Sequence, residues 1–424
     1  MHMPGHKGRG ACNEKHDLTE VTGADSLFEA SGIIAESEEN ASALFGAHTL
    51  YSTEGSSLSI RAMLYLAHLY AVSEGRRAKI AAVRNVHRSF VSAVALLDLE
   101  VDWLTSDSDS YLTVRLTGDD VRRYFESTDE LPTAVYITSP DYLGFCSDIA
   151  DIAVACHENG VLLLVDNAHG AYLRFLENDR HPVTLGADMC CDSAHKTLHA
   201  LTGAGYLHLA QTLPEYIHDS AKRAMALFAS TSPSYLILES LDILNNSLAD
   251  SYAASLLELI ARLDAVRDRL IDCGYALVGD EPMKLTVHAS RYGYSGYEML
   301  EYLEGKGIVC EFADPDYLVL MPSVDTTAEE LGDLTYALLH LPKKTPKLDT
   351  TPTQTLPKRK MSVREAVLSP SETVSTSECL GRTLAAVTVA CPPAVPILIS
   401  GEVIDEHAIE LFRYYGITEC TVVK

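Results

Sequence analysis

The chain has 424 residues, of which 47% are hydrophobic and 22% charged, and its formal net charge is -26 at pH 7. That length holds two or three domains, and the composition is that of a globular chain, which excludes disordered and fibrous classes. So acidic a balance excludes a nucleic-acid-binding surface, which needs basic groups against phosphate, and is compatible with a cationic small molecule.

Residues 1–35 are polar and Gly-rich and are predicted to form an N-terminal segment lying over another surface. From residue 36 the pattern is α/β: a helix over 38–45, a strand end and turn over 50–57, and a helix over 59–72. The Gly55-Ser56-Ser57 lead into that helix offers free backbone N–H groups and hydroxyls, where a phosphate would sit. Strands are predicted at 79–83, 134–138, 161–165 and 189–193, with a helix over 149–159 between two of them. This alternation predicts a mostly parallel sheet covered by helices on both faces, with ligand groups gathered at the strand C-termini. His87, Asp166 and Lys196 all fall at such ends.

A helix over 216–227, a hydroxyl-rich turn at 229–235 and one long amphipathic helix from Pro233 to about Cys273 close a large domain spanning 36–274. Residues 275–341 read as a small α+β domain, with strands at 283–289, 308–312 and 317–321 and helices at 297–306 and 327–341. Residues 342–361 are rich in Pro, Thr and Lys and predict a linker. Ordered patterning resumes in a small C-terminal α+β domain at 362–424, ending in a strand at 418–423. No apolar run predicts a membrane span, and the N-terminus lacks the apolar core of a secretory signal. Ten cysteines occur without CxxC pairs or a Cys/His metal spacing, which predicts reduced thiols, a cytoplasmic location and no metal site.

Two stretches carry chemistry. Lys196 stands in Asp192-Ser193-Ala194-His195-Lys196-Thr197, where partial desolvation would lower its pKa toward the free amine. A free amine condenses with an aldehyde. Thirty residues upstream, the apolar run Val161–Val165 ends in Asp166. Either residue alone is ordinary, but a strand-end Asp followed by an amine-bearing Lys is the arrangement a pyridoxal-phosphate enzyme needs.

The motifs MPGHKG near the start, DLTEVTGADSL at 17–27, DNAHGAYL at 166–173, DSAHKTL at 192–198, STSPSY at 230–235 and CPPAVPILISGE at 391–402 occur in this order. In these the chain resembles the Orn/Lys/Arg decarboxylase family of fold-type I pyridoxal-phosphate enzymes, over nearly its whole length. The resemblance implies an aspartate aminotransferase-like large domain that binds pyridoxal 5'-phosphate. It implies that Lys196 forms the Schiff base, Asp166 pairs with the pyridine nitrogen and His87 stacks on the ring. Ser56, Ser57 and Ser193 would bind phosphate, His195 would stand beside the lysine, and Ala168 and His169 would line the ring pocket. Thr231 would reach the phosphate of a neighbouring subunit, which implies a homodimer or larger assembly with active sites at the interface.

The activity so implied is decarboxylation of lysine, arginine or ornithine, through an external aldimine formed when the substrate displaces Lys196, in polyamine biosynthesis. His195 or Lys196 would return a proton to Cα, and Glu311 and Glu402 are the candidate partners for the substrate's distal cation. Two other readings stay open on these residues. One is a transaminase or lyase on the same fold, with Arg291 holding the α-carboxylate; the other is a catalytically silent regulatory relative.

Overall fold

Leu162–Asp166 is an apolar run with every residue buried, as a parallel strand covered on both faces must be, and the rest of the fold is arranged about it. A computed structural model describes residues 4, 6–7, 15–106, 112–347, 355–391 and 395–424. Much of the MPGHKG motif and residues 392–394 of the C-terminal motif therefore lie outside the described residues.

The central sheet comprises β1 (His48–Ser52), β2 (Lys79–Val83), β3 (Glu100–Leu104), β4 (Ala134–Thr138), β5 (Leu162–Asp166), β6 (Met189–Asp192) and β7 (Gly205–Leu209). Their order is β1-β7-β6-β5-β4-β2-β3. Strands β2 to β6 pair in parallel, and β7 runs antiparallel to both β6 and β1. The helix Gly55–Ser73 lays Leu58, Met63, Leu64 and Leu66 into the core that also holds Ile80, Val135 and Leu163 of the sheet. The expected α/β architecture is the one observed.

A smaller antiparallel sheet contains β8 (Leu277–Val278), β9 (Leu285–His288), β10 (Phe312–Ala313) and β11 (Tyr317–Leu320), in the order β10-β11-β9-β8. Towards the C-terminus, β12 (Ser371–Ser375) pairs with β15 (Glu419–Val423), and β13 (Thr388–Cys391) pairs with β14 (Val395–Ile399). One apolar cluster joins Leu112 and Leu143, Phe312 and Val319 of the small sheet, and Ile397, Leu398 and Phe412 of the C-terminal segment. The N-terminal segment is tied down as well: Leu27 is buried, its carbonyl accepts from Lys222 Nζ at 2.6 Å, and the Tyr235 hydroxyl donates to Asp25 O at 2.7 Å.

Three predicted elements differ. The single helix expected from Pro233 to about Cys273 is two, Tyr235–Asp250 and Tyr252–Asp272, broken at Ser251 with φ -123° and ψ -16°. Buried Leu241, Leu244, Leu248, Tyr252, Leu256, Leu259 and Leu263 keep helical spacing across the break, so periodicity does not reveal it. The strand expected at 308–312 shrinks to Phe312–Ala313, and Val309 is 84% exposed. The described ends of the expected linker are held against their neighbours: the Lys347 N–H donates to Ser290 O at 2.9 Å and the Lys360 N–H to Gly401 O at 2.8 Å.

A buried ion pair joins the C-terminal segment to the central sheet. Arg84, just past β2, donates from Nη1 and Nη2 to Glu402 at 2.7 and 2.6 Å, and from Nη2 to Ile397 O at 3.3 Å. The Ile399 N–H donates to Glu402 Oε2 at 2.8 Å. Replacing Glu402 by Gln strands the buried guanidinium and should cost about 3–5 kcal/mol of stability, lowering the urea midpoint. An Arg84→Met/Glu402→Leu double variant should lose less than either single variant. Unchanged unfolding of Glu402→Gln would show that the pair contributes nothing.

Candidate active site

The C-terminal ends of the parallel strands converge on a cavity of about 280 Å³. This is the edge where open α/β sheets bind ligands. Asp166 ends β5, and its carboxylate is nearly covered, at 2% exposure. Oδ1 accepts from the Ala168 N–H at 3.2 Å and Oδ2 from the Tyr136 hydroxyl at 3.3 Å. Burial, reinforced by the neighbouring carboxylate, pushes the Tyr136 phenol well above its usual range, so it remains a donor. Cys191 Sγ lies 3.6 Å from Oδ1, and burial likewise keeps it a thiol.

Lys196 follows β6 in the short helix Ala194–Thr197, and its Nζ lies 3.0 Å from His169 Nε2. Burial pushes the lysine below the ordinary range; Asp166 opposes that shift and the Lys284 cation adds to it. Burial, then the Lys196 charge, drives His169 well below the usual histidine value. The imidazole is therefore neutral and can accept a hydrogen bond from Nζ. Tyr142 packs edge-on against the His169 ring at 4.9 Å, closing that side of the cavity with an aromatic wall.

The helix Gly55–Ser73 also begins at the cavity, with no side-chain cap on its N-terminus. Its first-turn N–H groups have no intrahelical acceptors, and the helix dipole favours an anion there. Ser193 Oγ donates to Ser56 Oγ at 2.9 Å and Ser89 Oγ to Ser57 Oγ at 2.9 Å, so hydroxyls from three elements meet at this end. Gly55 sits at φ +64° in the left-handed region. A Cβ on Gly205 would come within 2.8 Å of Asp192 O and 2.9 Å of Gly55 C, so only glycine lets β7 pass this close to the helix start. His87 caps the helix Arg88–Leu97, with Nδ1 accepting from the Ser89 N–H at 3.2 Å, and burial keeps its ring neutral. His195 is held by Ala204 O, 2.8 Å from Nδ1.

The cavity is thus lined by the Lys196 amine, the buried Asp166 carboxylate, neutral imidazoles and the serine-bearing start of a helix without a side-chain cap. That donor set fits pyridoxal phosphate, which presents an aldehyde, a ring nitrogen and a phosphate at three separate corners.

Lys196, Asp166, His87, Ser56, Ser57, Ser193, His195, Ala168 and His169 all line this one cavity. Thr231 does not: it is exposed, and its neighbour Ser230 donates its N–H to Glu54 Oε1 at 2.7 Å. Glu311 is exposed and outside the wall, within electrostatic reach of Lys196 and Tyr142. Glu402 needs correction as a substrate contact. Its two oxygens are taken by Arg84 and the Ile399 N–H, so it has no capacity left for a second cation. Arg291 lies in the turn Ala289–Tyr292, and no arginine lines the cavity among the described residues. The sequence reading missed Tyr142, Glu54 and Val395 as wall residues. Tyr142 follows β4 closely enough to have been found from the strand-end rule, whereas nothing local marks Val395, which arrives from β14.

The model of the Orn/Lys/Arg decarboxylase major domain matches residues 10–277, and that of the family's C-terminal domain matches residues 345–421. An arginine decarboxylase of Halalkalibacterium halodurans is 30% identical across 97% of this chain and 89% of its own length. An arginine decarboxylase of Bacillus subtilis is 28% identical across 96% and 89%. Among solved structures, the constitutive lysine decarboxylase of E. coli superposes with a TM-score of 0.79 at 19% identity, covering 100% of this chain and 79% of that one. The lysine decarboxylase of Francisella novicida gives 0.81 at 17% identity, with 100% and 79% covered. With both family domains matched in order along a chain whose strand ends build such a cavity, the protein belongs to the Orn/Lys/Arg decarboxylase family.

Proposed function

We propose that this protein is a pyridoxal-phosphate-dependent decarboxylase of a basic amino acid, releasing CO₂ and a diamine or its guanidino equivalent. The observation that carries the reading is the placement of desolvated Lys196 and buried Asp166 at the ends of adjacent strands, facing the uncapped helix N-terminus. Relatives named arginine decarboxylase, at 28–30% identity over nearly the whole chain, make arginine the first substrate to test, followed by lysine and ornithine.

Pyridoxal phosphate, when bound, supplies an aldehyde and an electron sink for bond breaking at Cα. The chain's own residues do the rest. Asp166 would hold a proton on the ring nitrogen, and the Tyr136 hydroxyl donates to that carboxylate. Burial disfavours the Lys196 cation and so favours the free amine, and His169 Nε2 at 3.0 Å orients Nζ. His87, neutral and anchored through Ser89, would stack on the ring. Tyr142 excludes water beside His169. No arginine lines the cavity among the described residues. Exposed Glu311 is the remaining candidate partner for the distal cation. A homodimer in which Thr231 completes the neighbour's phosphate site completes the reading.

The purified protein with pyridoxal phosphate should show a visible absorption band that Lys196→Ala abolishes, together with CO₂ release from one of the basic amino acids. Equal turnover of norleucine would sink the basic substrate, and a keto acid product from 2-oxoglutarate would sink decarboxylation. Asp166→Asn should keep the band and lose about 10²–10³-fold in kcat, the scale for removing one preorganised electrostatic partner.

The pH dependence of Lys196 follows from its environment. Burial disfavours its cation, so its amine is free at a lower pH than that of an ordinary lysine at about 10.4. Reductive trapping of the apoprotein with pyridoxal phosphate and borohydride, mapped by mass spectrometry, should label Lys196 with a midpoint below those of the surface lysines. A midpoint equal to theirs would remove desolvation from the account.

A further inference from the structure

A second cluster of chemistry-bearing side chains lies in the core, outside the cavity. Cys190 and Asp192 are two apart on β6 and therefore share a face. His208 of β7 pairs directly with Cys190 in the ladder, and His181 arrives from the loop before β6. All four side chains are buried, with His181, Asp192 and His208 at 0% exposure. One ligand atom from each falls within 4.8 Å of all the others. Asp192 Oδ2 lies 3.1 Å from His181 Nε2 and 3.1 Å from His208 Nε2, and Cys190 Sγ lies 4.0 Å from His181 Nε2.

These separations are those of hydrogen bonds to a shared carboxylate, and they also leave the donor atoms close enough together to share a cation. An N–H···O⁻ bond normally closes to about 2.7–2.9 Å, and both here are longer. The corners of a tetrahedron with metal bonds of about 2.0–2.1 Å to nitrogen and oxygen stand roughly 3.3 Å apart, and a nitrogen and a sulfur roughly 3.6 Å. The three contacts at 3.1, 3.1 and 4.0 Å lie within about 0.4 Å of these values, and every donor atom lies within 4.8 Å of the others, so a small inward shift would close the shell. Two imidazoles, a thiolate and a carboxylate are a donor set suited to zinc, and the two anions neutralise a divalent ion that would otherwise be costly to bury.

The surroundings orient the ligands as second partners do in metal sites. His208 Nδ1 lies 2.9 Å from Thr49 Oγ1, which leaves Nε2 free for a metal. Asp192 turns its other oxygen, Oδ1, to the Asn167 amide at 2.6 Å.

We propose that His181 Nε2, Cys190 Sγ, Asp192 Oδ2 and His208 Nε2 bind one zinc ion. Binding releases the Cys190 thiol proton and changes no oxidation state. Four protein ligands leave no open position, so the ion is structural. It ties β6, β7 and the preceding loop together beneath Ser193 and Lys196. It enters as the chain folds, since none of its ligands faces solvent.

The test is the metal content of the full chain, produced without a histidine tag in zinc-supplemented medium, desalted over a chelating resin and measured by plasma mass spectrometry. The expected result is one zinc per chain, released by chelator only after denaturation, and background zinc in Cys190→Ser and His181→Gln. Folded wild-type protein without stoichiometric metal overturns the proposal, and so does zinc undiminished in both variants, which marks an adventitious ion. Should the variants not fold, the zinc X-ray absorption spectrum of the wild-type protein decides. One sulfur and three nitrogen or oxygen neighbours are expected, and a shell without sulfur overturns the assignment.

Discussion

The site depends on holding an amine and a carboxylate out of water at the ends of neighbouring strands. In water the same two groups would be an unremarkable ion pair, screened and solvated. In the interior each is forced to settle its charge locally. Asp166 does so with a backbone N–H and the Tyr136 hydroxyl, and Lys196 does so by shifting toward the neutral amine beside a neutral imidazole. The desolvation comes from the all-buried run of β5 and its parallel neighbours, so the apolarity that makes the sheet also sets the chemistry at its edge.

The C-terminal segment belongs to this arrangement. Arg84 stands on the same loop as His87, and its guanidinium is clasped by Glu402 while lying 5.2 Å from the Trp103 ring. The loop that presents His87 is thereby fastened to β14, and Val395 of that strand reaches the cavity wall. A carboxylate that looked from the sequence like a substrate contact is instead what positions the segment. Its neighbours in the chain gave no hint of this, because the guanidinium it meets lies far away in sequence and the pairing exists only after the two segments pack.

What was legible in the residues was whatever repeats locally. Alternating apolar strands and helices gave the sheet, and the strand-end rule placed His87, Asp166 and Lys196 together before any contact was visible. The break at Ser251 was hidden because the leucines on either side keep one helical phase. The strand at 308–312 was overread because a short apolar stretch does not distinguish a paired strand from an exposed connection, and only Phe312 and Ala313 find partners. The cluster of His181, Cys190, Asp192 and His208 defeated a search for metal spacing for a different reason. Two of its members are joined by strand alternation, a third by cross-strand register and the fourth by a loop, and none of these is a fixed interval along the chain.

Strand β6 brings both sites into one argument. Cys191 pairs with Asp166 across the ladder and lies against its carboxylate, while Cys190 and Asp192 turn to the opposite face and the histidines. The next residues are Ser193, at the anion cradle, and Lys196. Asn167 closes the loop, following Asp166 directly in the chain and giving its amide to Asp192. A displacement of β6 along its axis would therefore move Cys191, Ser193 and Lys196 together. The zinc ion proposed for the two imidazoles, Cys190 and Asp192 would fix that strand from its buried face without entering the cavity, which none of its four ligands lines.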